Sequence, residues 1–324
     1  MIIVRTPLRI SFLGGGSDFS DFYLRHGGCV LSTAIDKFVY VIIKERFDDQ
    51  IYVNYSKKEI VSQVNDLQHE LAREAMRMAG VTQGVEITTL ADVPSSGTGL
   101  GSSSSVTVGM LRALYAHKGF LLTAETLAEQ ACEIEIEICG KPIGKQDQYI
   151  AAYGGIRQIS FNRGGDIKVE YVNMDEDIRQ NLNRRLMLFY TNHTRAASTV
   201  LDEQRDNIPD RTELLSGLRD LALRGRECLE SGDLNDLGHM MHEGWEMKKG
   251  LASGVSNLEL DELYAAALRA GALGGKIAGA GGGGFLLLFC PLGAQEAVRA
   301  ELSNLRELPF SLERDGCCVI FNGR

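Results

Sequence analysis

The sequence predicts an α+β chain of two domains, and three observations predict it. β-rich and helical runs are interleaved without regular strand-helix-strand crossovers, two short polar segments read as hairpin turns, and a polar stretch at 174–184 interrupts the apolar patterning. With 324 residues, 44% hydrophobic and 24% charged, the chain can bury its cores without a disulfide or metal staple. The expected boundary gives an N-terminal domain over 1–178 and a C-terminal domain over 179–324.

Taken in order, residues 8–13 alternate like a strand and run into Gly14-Gly15-Gly16. The runs 37–46 and 50–55 are β-rich and joined through Asp48-Asp49, which predicts a hairpin. A helix is expected over 64–79 and a strand over 85–90, followed by a turn cluster at 94–101 and a helix at 102–118. Residues 124–139 read as another helix, stopped by Gly140-Lys141-Pro142. The strands 156–161 and 167–172 flank Asn162-Arg163-Gly164-Gly165 as a second hairpin. Beyond the boundary come a strand at 186–191 and helices near 211–230, 233–249 and 258–270. The glycine cluster 279–284, a strand at 285–290, a helix at 294–305 and a last strand at 317–321 complete the chain.

Composition removes several classes of function. Lys plus Arg is 34 and Asp plus Glu is 43, and the net charge of −9 opposes the nucleic-acid backbone while leaving room for a local basic patch that takes a small anion. The longest apolar stretch, 285–290, is far short of the ~20 residues that span a bilayer, and residues 1–13 lack a secretory leader, so a soluble cytoplasmic protein is expected. The seven cysteines show no zinc or redox spacing and read as buried free thiols. His239 and His242, with Glu243 and Glu246, have helical spacing but not the zinc-peptidase pattern, which favours a structural role.

Three segments carry chemistry. The first is Pro94-Ser-Ser96-Gly97-Thr98-Gly99-Leu100-Gly101-Ser102-Ser103-Ser104, a glycine turn between a strand and a helix. Free backbone N–H groups and the helix N-terminus suit phosphate there, and the serines offer hydroxyls to phosphate oxygens or magnesium. A flexible Ser/Gly loop is the alternative, which the placement between strand and helix disfavours. No Gly-Lys pair is followed by Ser or Thr, so no Walker loop exists, and the Gly-x-Gly-x-x-Gly at 279–284 stands in the reverse of the dinucleotide-binding order.

The second segment is Glu135 to Gln148. Asp147 lies in a glycine- and proline-containing loop with Lys145 nearby to favour its charged form, although a turn or cap role is the ordinary reading of such a residue. On a helical wheel Glu135 lies roughly 60° from the apolar centre, Glu137 about 100° and Glu133 about 140°. Glu135 is then the inward carboxylate, for which a divalent metal is one partner; Glu-Ile-Glu-Ile-Glu-Ile also alternates like a strand, which would put all three acids on one face. The third segment is Arg5 to Phe19, where Arg9 on a strand and Asp18 beyond the glycine turn suit a site that reads a phosphate and sugar hydroxyls.

With these segments in this order, and Lys276-Ile-Ala-Gly279-Ala-Gly281-Gly282-Gly-Gly284 following, nearly the whole chain resembles the GHMP kinases. The resemblance implies their two-domain fold, a ribosomal-protein-S5-like N-terminal domain and a ferredoxin-like C-terminal domain, with ATP and Mg2+ as cofactors. It implies that 94–104 is the ATP-phosphate loop, Ser103 and Glu135 the metal ligands, and Asp147 and Arg9 catalytic groups, and Lys145 is expected to join Arg9 in stabilising charge on the moving phosphoryl group. It further implies that Gly15, Gly16, Ser17, Asp18, Asp147, Arg195, Gly281 and Gly282 meet the acceptor. Where galactokinases carry Glu-His, this chain has Gly15-Gly16, which opens space at the far end of a sugar. Gly-Gly-Gly-Ser-Asp-Phe, Gly-Lys-Gln-Asp-Gln and Thr191-Asn-His193-Thr-Arg195 look most like the branch of heptose 7-phosphate kinases and fucokinases. The implied activity is phosphoryl transfer from ATP to the anomeric hydroxyl of a sugar phosphate, with Lys37, Lys145, His193 and Arg195 as candidates for holding the 7-phosphate. A fucokinase- or galactokinase-like acceptor and a non-catalytic sugar or nucleotide sensor stay open, as does a homodimer.

Overall fold

The computed structural model describes residues 1–94, 97–193 and 197–323. In chain order its first part comprises β1 (Ile2–Leu13), α1 (Ser20–His26), β2 (Gly28–Glu45), β3 (Ile51–Asn54), β4 (Lys58–Val61), α2 (Glu70–Ala79) and β5 (Val85–Ala91). Next come α3 (Ser102–His117), α4 (Ala124–Cys132), α5 (Gln146–Tyr153), β6 (Ile156–Phe161), β7 (Ile167–Tyr171) and α6 (Glu176–Arg185). The second part holds β8 (Leu186–Tyr190), α7 (Ala197–Asp206), α8 (Thr212–Ser231), α9 (Leu234–Lys249), α10 (Leu258–Arg269), β9 (Gly274–Ile277), β10 (Phe285–Phe289), α11 (Gln295–Glu301), β11 (Arg306–Glu307) and β12 (Cys318–Asn322).

Two sheets organise these elements. The first runs β12-β1-β2-β5-β3-β4, and β2 is long enough to fork: its start pairs with β6, its end with β5. The second sheet runs β11-β8-β10-β9, all antiparallel. Numbered within that domain the order is 4-1-3-2, with helices between its first and second and between its third and fourth strands, the ferredoxin-like arrangement. The main core joins both parts: Leu13 and Leu31 of the first sheet share a cluster with Leu221 and Ala222 of α8 and Leu237 and Met241 of α9. Trp245, Leu260, Leu286, Leu288 and Val298 form a second core on the other face of the second sheet.

The structure departs from sequence expectation in four places. The hairpin of 37–46 with 50–55 is absent, because β5 lies between β2 and β3. Asp48-Asp49 lacks the glycine a two-residue hairpin turn favours, and Arg46 grips the Asp48 carboxylate with two donors at 2.8 Å, holding a wider loop. The helix expected from 64 starts only at Glu70, after His69 caps it by accepting from Ala72 N at 3.3 Å. The polar stretch at 174–184, expected to hold the boundary, is mostly α6, a helix that buries Leu182. The unit expected at 179–324 gives its last strand back to the first sheet, where β12 covers the outer edge of β1.

No helix among the described residues is long and apolar enough to cross a membrane. All seven cysteines are free and five are buried; burial raises the Cys29 thiol to about 12 and the Cys317 thiol to about 11, which keeps both protonated at neutral pH. Among the described residues no group of three or more His, Cys, Asp or Glu could hold a metal, and His242 instead meets Tyr264 Oη at 2.9 Å.

Candidate active site

A cleft of about 430 Å³ opens where β1, the start of α3, the 141–145 loop and the glycine cluster meet, with Asp147 in the first turn of α5 rather than in the loop. Gly97, Thr98, Gly99, Gly101, Ser102, Ser103 and Ser104 line it. Gly101 takes the left-handed conformation at the start of α3 and no side chain caps the helix, so its first N–H groups face the cleft free to bind an anion. Gly99 is also left-handed, at φ +73, and a Cβ there would come within 2.3 Å of Ala278 O. The loop of the first domain thus rests backbone to backbone on the strand end that begins the glycine cluster.

Arg9 and Asp147 stand at the inner end of this cleft. Arg9 Nε donates to Asp147 Oδ1 at 2.7 Å and Nη2 to Oδ2 at 2.6 Å, a two-pronged pairing that fixes the carboxylate in position and plane. Nη1 donates to Gly99 O, and Arg9 N donates to Leu100 O at 3.0 Å, so one arginine braces both the phosphate loop and the acid. Arg9 is buried, and the ion pair is worth more there than at an exposed position.

Glu135 is fully buried, and its neighbours Glu133 and Glu137 are exposed, which settles the wheel argument against the strand reading. The segment 133–138 continues α4 as a π-helical turn. Such turns carry an extra residue and commonly occur at functional sites. Glu135 Oε1 accepts from Ser103 Oγ at 2.5 Å and Oε2 from Gln148 Nε2 at 2.7 Å. The Lys141 ammonium reaches Ser103 Oγ at 3.1 Å and Glu135 Oε1 at 3.7 Å, so a cation already sits against this oxygen pair. A hydroxyl and one buried carboxylate facing a phosphate loop are the hard oxygen donors that suit Mg2+, which is typically held by one or two carboxylates and substrate phosphates.

On the other side of Asp147 lies a smaller cavity of about 70 Å³, lined by Arg9, Ser11, Gly15, Gly16, Asp18, Gln146, Asp147, Lys248 and Lys276 among others. It shares Arg9, Ile143, Asp147, Leu201, Gly279 and Ala280 with the cleft. Asp18 Oδ1 accepts from Gly16 N at 3.0 Å, and Oδ2 accepts from the backbone and side-chain nitrogens of Gln146, each at 3.2 Å. Gly144 has no side chain because a Cβ would lie 2.0 Å from Asp18 Oδ2. Burial raises the Asp18 pKa, opposed by its Gly16 hydrogen bond and reinforced by the charge of Asp147. Lys248 and Lys276 are both buried here; desolvation lowers Lys248 to about 8, and desolvation together with Lys248 and Arg9 holds Lys276 well below the ordinary lysine range.

The expected residues fall into two groups. Arg9, Asp147, Ser103, Glu135, Asp18, Gly15, Gly16 and the loop from Gly97 to Ser104 converge, except that Leu100 is buried in the core and Pro94 is exposed away from the cleft lining. Lys145 does not join them: it lines a separate groove with Glu125, Glu129, Glu133 and Glu137, because two helical positions from Asp147 is nearly the opposite face. Ser17 is consumed structurally, its hydroxyl donating to Gly14 O and Cys29 O and accepting from Cys29 N. Gly281 and Gly282 pack on Val255, while Gly279 and Ala280 supply the wall. Lys37 is paired with Asp36 and His193 with Glu259. Ser96 and Arg195 lie outside the described residues.

Lys141, Gln148, Lys248 and Lys276 are the groups that sequence reasoning missed. For Lys248 a signal existed: Leu234, Leu237, Gly238, Met241, Gly244, Trp245 and Lys248 form one helical stripe, and a lysine ending a buried stripe needs a reason.

Comparison with known proteins bears directly on this arrangement. Residues 63–155 match the model for the GHMP kinases N terminal domain and residues 226–306 that for the GHMP kinases C terminal domain. The chain is 29% identical over 332 residues to a D-glycero-alpha-D-manno-heptose 7-phosphate kinase of Campylobacter jejuni subsp. jejuni, covering 96% of this chain and 97% of the relative. It is 25% identical over 344 residues to a galactokinase of Thermotoga neapolitana, covering 96% and 95%. The crystal structure of a D-glycero-D-manno-heptose 1-phosphate kinase from Bacteroides thetaiotaomicron aligns over 100% of both chains with a TM-score of 0.83 at 26% identity. With a matched segment in each domain and the fold shared from end to end, the chain belongs to the GHMP kinases and is a phosphotransferase that moves phosphate from ATP to an alcohol group.

Proposed function

We propose that this enzyme is a sugar 1-kinase that phosphorylates the anomeric hydroxyl of a heptose 7-phosphate, giving the 1,7-bisphosphate. The observation that carries this reading is the position of the Arg9–Asp147 pair on the wall common to the phosphate-loop cleft and the Asp18 cavity. Phosphoryl transfer is mainly positioning and charge stabilisation, and it needs a carboxylate and a cation where donor and acceptor meet. The names of the relatives support the acceptor in part: one is named for a heptose 7-phosphate and another for a heptose 1-phosphate. Only the 7-phosphate leaves O1 free to react.

In this reading the ATP phosphates lie on the N–H groups of 97–104. The adenine takes the adjoining groove of about 320 Å³ between Tyr55, His69, Leu90 and Val93, which reaches Ser102. Ser103 and Glu135 are the residues that would hold Mg2+, whose charge when bound neutralises the β- and γ-phosphate oxygens. Asp18 and the Gln146 amide receive ring hydroxyls. Asp147 accepts a hydrogen bond from O1–H; as O1 bonds to the γ-phosphorus, the O1 proton passes to Asp147 and the bond to the β,γ-bridging oxygen breaks, releasing ADP. Arg9 keeps Asp147 aimed at O1 and faces the moving phosphoryl group. The seven free cysteines accord with a reducing cytoplasm.

Measuring ADP release with heptose 7-phosphate, fucose and galactose tests the acceptor. The expected kcat/KM is at least about 10-fold higher for heptose 7-phosphate, with 31P NMR placing the new phosphate on C1. Faster turnover of free fucose or galactose, or phosphate at another carbon, would overturn the reading.

A further inference from the structure

Three cations and two carboxylates face the smaller cavity: Arg9 of β1, Asp18 of the following turn, Asp147 of α5, Lys248 of α9 and Lys276 of β9. Arg9 and Asp147 satisfy each other, whereas the two buried lysines feel Asp18 and Asp147 but make no ion pair of their own among the described residues. Lys248 Nζ spends one donor on Gly279 O at 2.6 Å, and Lys276 Nζ makes no hydrogen bond among the described residues. Ser11 Oγ lines the same cavity, buried and without a hydrogen-bond partner among the described residues. Burying two adjacent lysines and an unpaired hydroxyl costs stability in the absence of a ligand, so their natural partner is an anion rich in acceptor oxygens.

Gly15 locates that anion. A Cβ on Gly15 would lie 3.8 Å from Lys248 Nζ and 3.8 Å from Lys276 Nζ, so the missing side chain leaves a small space facing both ammonium groups. We propose that Lys248 and Lys276, across the space kept by Gly15 and with Ser11 as hydroxyl donor, form the subsite for the acceptor's own phosphate, and that they set the preference for a phosphorylated over a free sugar. This inference rests on the acceptor being a sugar phosphate.

The test uses the full-length enzyme and paired acceptors, each sugar with and without its terminal phosphate, for heptose, mannose and fructose. Lys276→Met, Lys248→Met and Gly15→Ala are compared with wild type, and circular dichroism verifies folding. Gly15 has no left-handed φ, and its added methyl would make only ordinary contacts, so Gly15→Ala keeps the backbone while filling the space. Expected are a wild-type preference for the phosphorylated member of at least one pair, a fall of 30-fold or more in that preference in each variant through the acceptor KM, and an ATP KM within 3-fold of wild type. Equal losses on both members of a pair, or a rise confined to the ATP KM, would place the lysines on the transferred phosphate and overturn the proposal. A wild-type preference for free sugars throughout would overturn it as well. A preference for mannose or fructose phosphate that collapses in the variants would sustain the subsite while refuting the heptose reading.

Discussion

Asp147 has no partner as close as Arg9, and most of what it does follows from that contact. Two hydrogen bonds at 2.6–2.7 Å hold its carboxylate in plane. Asp147→Asn keeps the shape and loses the negative charge, so kcat is expected to fall by about 10² to 10⁴ while the ATP dissociation constant stays within about 3-fold, measured by steady-state kinetics and calorimetry. Arg9→Lys keeps a charge but loses the fork, and a fall of about 10²-fold in kcat is expected. Lys248 gives a pH signature. Its folded pKa of about 8 lies below the ordinary 10.5, so the unfolded chain binds the extra proton between those values and stability rises with pH across that window. Below pH 8 the buried ammonium costs about 3 kcal/mol, and urea unfolding of Lys248→Met should show a gain of that order at pH 7 that vanishes above pH 10.5. The same titration should make kcat/KM for a phosphorylated acceptor decline above pH 8, as Lys248, its pKa lowered by burial and by Arg9 and raised by Asp18 and Asp147, loses its charge beside Lys276.

At the level of elements, the legible features are those whose chemistry is written locally. The turn 97–101 stands between a strand and a helix in any reading, and Glu135 is the inward acid of its helix because Leu127, Ala131 and Ile134 lie on the core face, although Ile138, which the wheel also places there, is exposed beyond the π-helical turn. The π-helical turn itself was not legible, since nothing in Glu-Ile-Glu-Ile-Glu-Ile distinguishes one extra residue per turn from ordinary α spacing. Lys145 misleads because closeness in sequence to Asp147 is not closeness on a helix. Lys276 is invisible for the opposite reason: a lysine in Gly-Gly-Lys-Ile reads as a strand residue, and only β9 packing beside α9 brings it to Lys248. The seat of the phosphate loop on Ala278 makes a further prediction. Gly99→Ala must bear a left-handed φ, costing about 1 kcal/mol or more, and a backbone contact at 2.3 Å, so both thermal stability and ATP binding should drop, read by calorimetry.

For the whole molecule, the two sheets do not own separate interiors. α8 and α9 belong by sequence to the second domain yet complete the core of the first, through Leu221, Ala222, Leu237 and Met241. That is why the boundary read from the polar stretch at 174–184 has no structural break: α6 runs through it. The expected outcome is one cooperative unfolding transition, the same by circular dichroism and by the fluorescence of Trp245, which is buried in the second core. Two separated transitions would show that the cores are energetically independent.

The pairing of β12 with β1 ties residues 318–322 to residues 2–5. During synthesis β1 finds β2 soon after it is made, but its outer partner is more than three hundred residues away. Until residues 318–322 have been made, the outer edge of β1 presents unpaired backbone groups, so a chain truncated before them should aggregate more readily.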